Sequence, residues 1–155
     1  MNAHLSPVLS FSPDIDRTMG KGSFRNLIAW QKSMALARDV YTLTESFPAK
    51  ETFGLSGQLR RSSVSVPSNI AEGHGRITRG EWQHFLGQAR GSLLEVQTQL
   101  LLSLDLGFGN ANSVSRALAC SEEVGRVLNG LLASSYRRSQ RKPAPPDDPD
   151  PSTNH

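Results

Sequence analysis

The chain has 155 residues, of which 37% are hydrophobic, 20% charged and 6% aromatic, with a formal net charge of +3. This length supports one domain with a substantial core, and the scarcity of aromatic residues favours aliphatic helices over a β-sandwich. The single cysteine, Cys120, excludes an internal disulfide framework. No apolar run approaches the ~18 residues of a membrane span, and the N-terminus does not resemble a signal peptide, so we expect a cytoplasmic protein with no membrane partner.

The two ends of the chain are rich in proline and small polar residues. Residues 1–23 show no hydrophobic period, and residues 143–155 contain the run PAPPDDPDP. Proline lacks an amide donor and clashes with the preceding helical turn, and segments this polar do not bury enough surface to fold. We therefore predict a disordered N-terminal extension at 1–23, a folded domain at 24–142 and a disordered Pro/Asp-rich tail at 143–155.

Four amphipathic helices are predicted in the folded domain, because apolar residues recur there at spacings of three and four. Their approximate bounds are 26–46, 51–72, 78–106 and 112–138. Helix-breaking residues follow the first three, at Pro48, Gly73, Gly75, Gly107 and Gly109. Thr78 and Glu81 have the spacing of a capping box at the start of the third helix. Short loops make consecutive helices antiparallel, so we predict an all-α, up-and-down four-helix bundle.

The third predicted helix is apolar over more than one face. Its main seam, at heptad-like spacing, runs from Trp82 to Leu104, while Phe85, Leu94, Leu101 and Leu102 lie off that seam. Such a helix is either central in the bundle or shared with another subunit.

Two mid-helix features predict close packing between the second and third helices. Gly91, followed by Ser92, costs about 1 kcal/mol against alanine in a helix interior, and we expect it to permit close approach of a second helix. That partner is predicted to be the helix containing Pro67, which kinks the chain and frees a carbonyl. Beside the kink lies a polar stripe, which is either a solvated face or a buried network or subunit contact. Its members are Arg61, Ser65, Ser68, Asn69 and Glu72.

No constellation in the sequence predicts catalysis, a metal or a cofactor. Glu81 and His84 have the E-x-x-H spacing of di-iron bundles, but those sites need two such motifs and two further glutamates. The glycine-rich run at 73–76 follows no strand and lacks the context of a phosphate-binding loop. We therefore predict that the protein is not an enzyme, and no small-molecule substrate is identified.

Three blocks resemble a known family: FRNLIAWQK at 24–32, QLRRSSVSVPSNIAEG at 58–73 and FLGQARGSLLEVQTQL at 85–100. They are similar to the 23S rRNA intervening-sequence proteins, and the resemblance covers about 24–108. It implies an antiparallel four-helix bundle, commonly a homopentamer, with no enzymatic activity attached to the family. More distantly, the chain resembles pentameric accessory proteins of retroelements, which bind nucleic acid through a basic surface.

Two functions of different classes follow. The first is a non-enzymatic oligomeric bundle that binds RNA or other nucleic acid through arginines, since a basic surface attracts polyanions. The candidates are Arg60, Arg61, Arg76 and Arg79, with a further basic group at 137–142. The second is a protein-interaction scaffold without a nucleic-acid role, indicated by the surplus apolar surface of the third helix.

Overall fold

The structure, a computed structural model, describes residues 22–140. These residues form four α-helices: α1 Ile28–Thr44, α2 Leu55–His74, α3 Arg79–Asp105 and α4 Ala111–Gln140. Short 3-10 helices at Phe24–Asn26 and Ala49–Glu51 precede α1 and α2, and the described chain contains no β-strand. None of its helices is long and apolar enough to cross a membrane. The predicted disordered segments, except for residues 22 and 23, lie outside the described residues.

Viewed down the bundle axis, the four helices occupy the corners of a square in chain order. α1 packs on α2, α2 on α3 and α3 on α4, and the square closes where α4 packs on α1. Diagonal helices bring no Cα atoms within 8 Å of each other in this part of the chain, so their backbones meet only through the side chains of the core. This arrangement of consecutive antiparallel neighbours confirms the prediction of an all-α, up-and-down four-helix bundle.

An aliphatic core fills the centre of the square. Every helix contributes fully buried branched side chains at helical spacing, among them Leu36, Leu59, Leu86 and Leu128. The predicted inward face of α2 is confirmed, since Leu55, Leu59, Ser62, Val66 and Ile70 are all buried. In α3, by contrast, Leu94, Leu101 and Leu102 remain 50%, 53% and 46% exposed. The apolar surplus predicted for this helix therefore lies on the surface of the single chain.

The helix ends follow local capping chemistry, and both ends of α2 differ from the predicted bounds. Glu51 does not begin α2; its carboxylate accepts a hydrogen bond from the Leu55 amide at 2.9 Å, so α2 starts four residues later. At the other end α2 continues through Gly73 to His74. α3 starts at the predicted capping box of Thr78 and Glu81 and ends before Gly107, which has φ +70.

Gly73, and not Gly91, is the glycine that allows α2 and α3 to approach. A Cβ added at Gly73 would lie 2.7 Å from the Phe85 Cβ and 2.8 Å from the Trp82 Cε3. A Cβ added at Gly91 would meet nothing within 4 Å. Gly91 is on the exposed side of α3, so the close packing predicted for it is not found within the chain. Its neighbour Ser92 does contact α2.

Candidate functional site

The up-and-down topology gathers arginines at one end of the bundle. The start of α1, the end of α2, the start of α3 and the end of α4 all lie there. Arg76 follows α2, Arg79 begins α3, and Arg137 and Arg138 occupy the last turn of α4. All four are exposed. We call these four arginines the basic end. Arg76 and Arg79 thus meet Arg137 and Arg138, the described members of the basic group at 137–142.

A side-chain hydrogen bond shows how close the two groups are. Gln83, one turn into α3, donates from Nε2 to the hydroxyl of Ser139 at 2.9 Å. Arg79 lies one helical turn before Gln83, and Arg138 immediately precedes Ser139. The first turn of α3 and the last turn of α4 are therefore side by side, and positive charges separated by 58 residues of sequence share one surface.

The four arginines differ in how far their charge is already compensated. Arg76 forms an ion pair with Glu72, one helical turn before it, and its guanidinium carbon lies 4.8 Å from the centre of the Phe85 ring. Arg79, Arg137 and Arg138 form no ion pair with another residue of the described chain. These three arginines carry the free positive charge of the basic end.

The carboxylates of Glu72 and Glu81 near this end already have partners close to them in sequence. Glu81 accepts hydrogen bonds from the Thr78 hydroxyl at 2.6 Å and from the Thr78 amide at 3.2 Å. These bonds hold the pKa of Glu81 below its ordinary value. At the opposite end, acidic side chains such as Glu45 and Asp105 are mixed with the exposed cations Lys50 and Arg116.

The structure does not bring the Arg60–Arg61 pair to the basic end. Both residues lie in the first two turns of α2, about 20 Å from its C-terminus at 1.5 Å per residue. Arg60 is half-buried between α1 and α2: its Nε donates to the Thr44 hydroxyl at 2.7 Å, and its guanidinium carbon lies 4.9 Å from the centre of the Tyr41 ring. Arg61 is exposed and lines a small groove between α2 and α3 with Glu95.

The polar stripe of α2 forms a hydrogen-bonded seam with α3. Asn69 donates from Nδ2 to the carbonyl and hydroxyl oxygens of Ser65, at 2.8 and 3.0 Å. The Ser92 hydroxyl of α3 donates to the Ser65 hydroxyl at 3.0 Å. Glu72 lies outside this seam because it pairs with Arg76. α2 stays helical through Pro67, which is buried beside α1 and away from the seam.

A shallow groove of about 550 Å³ runs over the exposed face of α3 beside the basic end. Its floor and walls are Gly80, Gln83, His84, Gly87, Gln88, Gly91, Ser92, Glu95 and Tyr136. Residue spacing alone does not predict this groove, because Tyr136 lines it from α4 while the other residues come from α3.

The described residues contain no grouping of three or more histidine, cysteine or carboxylate side chains that could hold a metal ion. Cys120 is half-buried, and the loss of solvent around it, followed by the nearby carboxylates of Asp39 and Glu123, raises the pKa of its thiol. A thiol kept protonated in this way is a poor nucleophile.

These observations define a class of protein: an all-α, up-and-down four-helix bundle with a basic end. Its α3 also carries an exposed leucine patch, formed by Leu94, Leu101 and Leu102. Residues 25–130 match the 23S rRNA-intervening sequence protein family, and the chain belongs to that family. The resemblance inferred from the sequence blocks is thereby confirmed.

A solved structure shares the fold. It is the crystal structure of a protein of unknown function from the S23 ribosomal protein family of Bacteroides thetaiotaomicron. The two chains are 20% identical with a TM-score of 0.61, and the match covers 68% of this chain and 98% of the other. No curated protein matches the chain.

Proposed function

We propose that this protein is a non-enzymatic, oligomeric helical bundle that binds RNA through its basic end. The observation that supports this proposal is the meeting of Arg79 with Arg137 and Arg138 at one end, where none of the three forms an ion pair with another described residue. Exposed arginines attract phosphates through charge and release counterions from the nucleic acid. The name of the family points to the same class of partner.

Assembly into an oligomer would strengthen weak phosphate contacts. Leu94, Leu101 and Leu102 form an exposed patch on α3, which a single chain leaves in water. We propose that this patch joins copies of the chain, and that the assembly is a pentamer, as the resemblance implies. Each copy then contributes its own basic end, and several weak contacts to one RNA add as multivalent binding.

The experiment compares two triple variants that remove the same charge. Arg79→Ala/Arg137→Ala/Arg138→Ala removes the free charge of the basic end. Arg38→Ala/Lys50→Ala/Arg116→Ala removes three exposed cations elsewhere. Filter binding with a structured RNA is measured over a series of salt concentrations. We expect the basic-end variant to bind RNA more weakly than wild type. The plot of log K against log salt should become less steep by about 2, as the loss of three phosphate contacts predicts. The control variant should stay near wild type.

The alternative is a protein-interaction scaffold, which the exposed leucines of α3 favour. Its partner would be another protein that covers the leucine patch. If the wild-type protein shows no affinity for RNA at low salt, RNA binding is refuted and the scaffold takes its place. If both triple variants lose affinity equally, the contact is a diffuse charge effect and the basic end is not a site.

A further inference from the structure

The groove on α3 lies beside Arg79, Arg137 and Arg138, which form no ion pair within residues 22–140, and three glycines are part of its lining. Gly80, Gly87 and Gly91 line it, and a Cβ added at any of them would meet nothing within 4 Å. Interior glycines cost helix stability, and the described chain shows no packing at Gly87 or Gly91 that would require them. What they provide is open space and an accessible backbone.

The groove also presents the groups that recognise unpaired bases. Tyr136 is 53% exposed on α4, and the exposed His84 lines the groove from α3, so an aromatic ring is available for stacking. Gln88 carries an amide with two donors and one acceptor, which suits the edges of bases. Aromatic faces next to cations are the usual means by which proteins hold single-stranded nucleic acid.

The charges along the groove differ from end to end. Gly80 lines one end of the groove directly after Arg79, so this end, called the upper end here, lies nearest to the basic end. Glu95 lines the lower end, where its carboxylate repels phosphate. A strand in the groove is therefore favoured with its phosphates towards the basic end.

From this geometry we infer that the groove binds unpaired nucleotides of RNA, with a base stacked on Tyr136 and the backbone phosphates on Arg79, Arg137 and Arg138. This inference rests on the proposed function and adds to it the class of RNA: single strands and loops. A blunt duplex keeps its bases stacked inside, so it can contact the arginines but cannot enter the groove.

The test measures fluorescence anisotropy with a short single-stranded RNA and with the same strand in a blunt duplex, using the full chain. We expect the wild-type protein to prefer the single strand. Gly87→Leu places a side chain in the groove at a position where an added Cβ meets nothing within 4 Å. It should lower single-strand affinity about ten-fold or more, leave duplex affinity unchanged and not lower the melting temperature. Gly130→Leu is the matched control, because Gly130 is also exposed in a helix with open space above it, away from the groove.

Replacing Tyr136 separates stacking from hydrogen bonding. Tyr136→Ala should lower single-strand affinity about ten-fold, whereas Tyr136→Phe keeps the ring and should restore it. Equal affinity for the two RNA forms, or wild-type single-strand binding by Gly87→Leu, overturns the groove assignment even if the basic-end triple variant still binds weakly. A wild-type protein that binds neither RNA refutes the proposed function itself, so the two failures are distinguishable.

Discussion

Gly73 and Gly91 lie inside helices that touch each other, yet only Gly73 is required by packing. We expect Gly73→Ala to lower the free energy of unfolding by about 1–3 kcal/mol, because the new methyl group would press on the Phe85 Cβ and on the Trp82 ring. Thermal denaturation followed by circular dichroism measures the change. Gly91→Ala is the control and should raise stability by up to about 1 kcal/mol through helix propensity. Equal melting temperatures for the two variants would contradict this assignment.

The sequence indicated that α2 and α3 approach closely but assigned the contact to the wrong residue. A glycine in the middle of a helix lowers helix stability, so the sequence pattern points to Gly91 as a packing position. Gly73 lies near the end of its helix, where a glycine predicts a helix terminator. Which way a glycine faces depends on the rotation of α3 against α2. Ser92, next to Gly91, does face α2 and bonds to Ser65. A shift of one residue is a rotation of 100°, enough to exchange a packed position for an exposed one.

At the scale of the element, the start of α3 depends on one reciprocal cap. The Glu81 amide donates to the Thr78 hydroxyl at 3.2 Å, while the Glu81 carboxylate accepts from Thr78. Thr78→Ala should cost about 1 kcal/mol of unfolding free energy at neutral pH. Urea denaturation at several pH values measures it, with Thr98→Ala, an exposed threonine in the middle of α3, as control.

The pH dependence of this cap has a definite sign. The bonds from Thr78 lower the pKa of Glu81 from its ordinary 4.5, so the ionised carboxylate is favoured by folding. Its contribution is complete above 4.5 and is lost as the pH falls through the lowered value. The stability difference between wild type and Thr78→Ala should therefore shrink in acid. A difference that grows below pH 4.5 would show that the carboxylate does not accept these bonds.

At the scale of the whole molecule, the up-and-down topology by itself places most of the basic end. In an up-and-down bundle the start of the third helix and the end of the fourth lie at the same end, so Arg79 must lie near Arg137 and Arg138. The same reasoning separates Arg60 and Arg61 from them. Side-chain partners were beyond prediction: the position of Arg60 between Thr44 and Tyr41 depends on how α1 and α2 are rotated. The groove depends on Tyr136 reaching across from α4.

The assembly of several copies is the prediction that belongs to the whole molecule. Leu94 and Leu101 are two helical turns apart on one face of α3, each about half exposed. Burying such side chains between copies removes apolar surface from water, and a charge placed there would remain unpaired in the interface. We expect sedimentation equilibrium at micromolar concentration to find wild type assembled and Leu94→Lys/Leu101→Lys monomeric but folded. Ile28→Lys/Phe53→Lys adds the same charge at exposed apolar positions outside α3 and should remain assembled. A monomeric wild type would refute assembly, whereas dissociation of both variants would mean that added charge, and not the leucine patch, governs it.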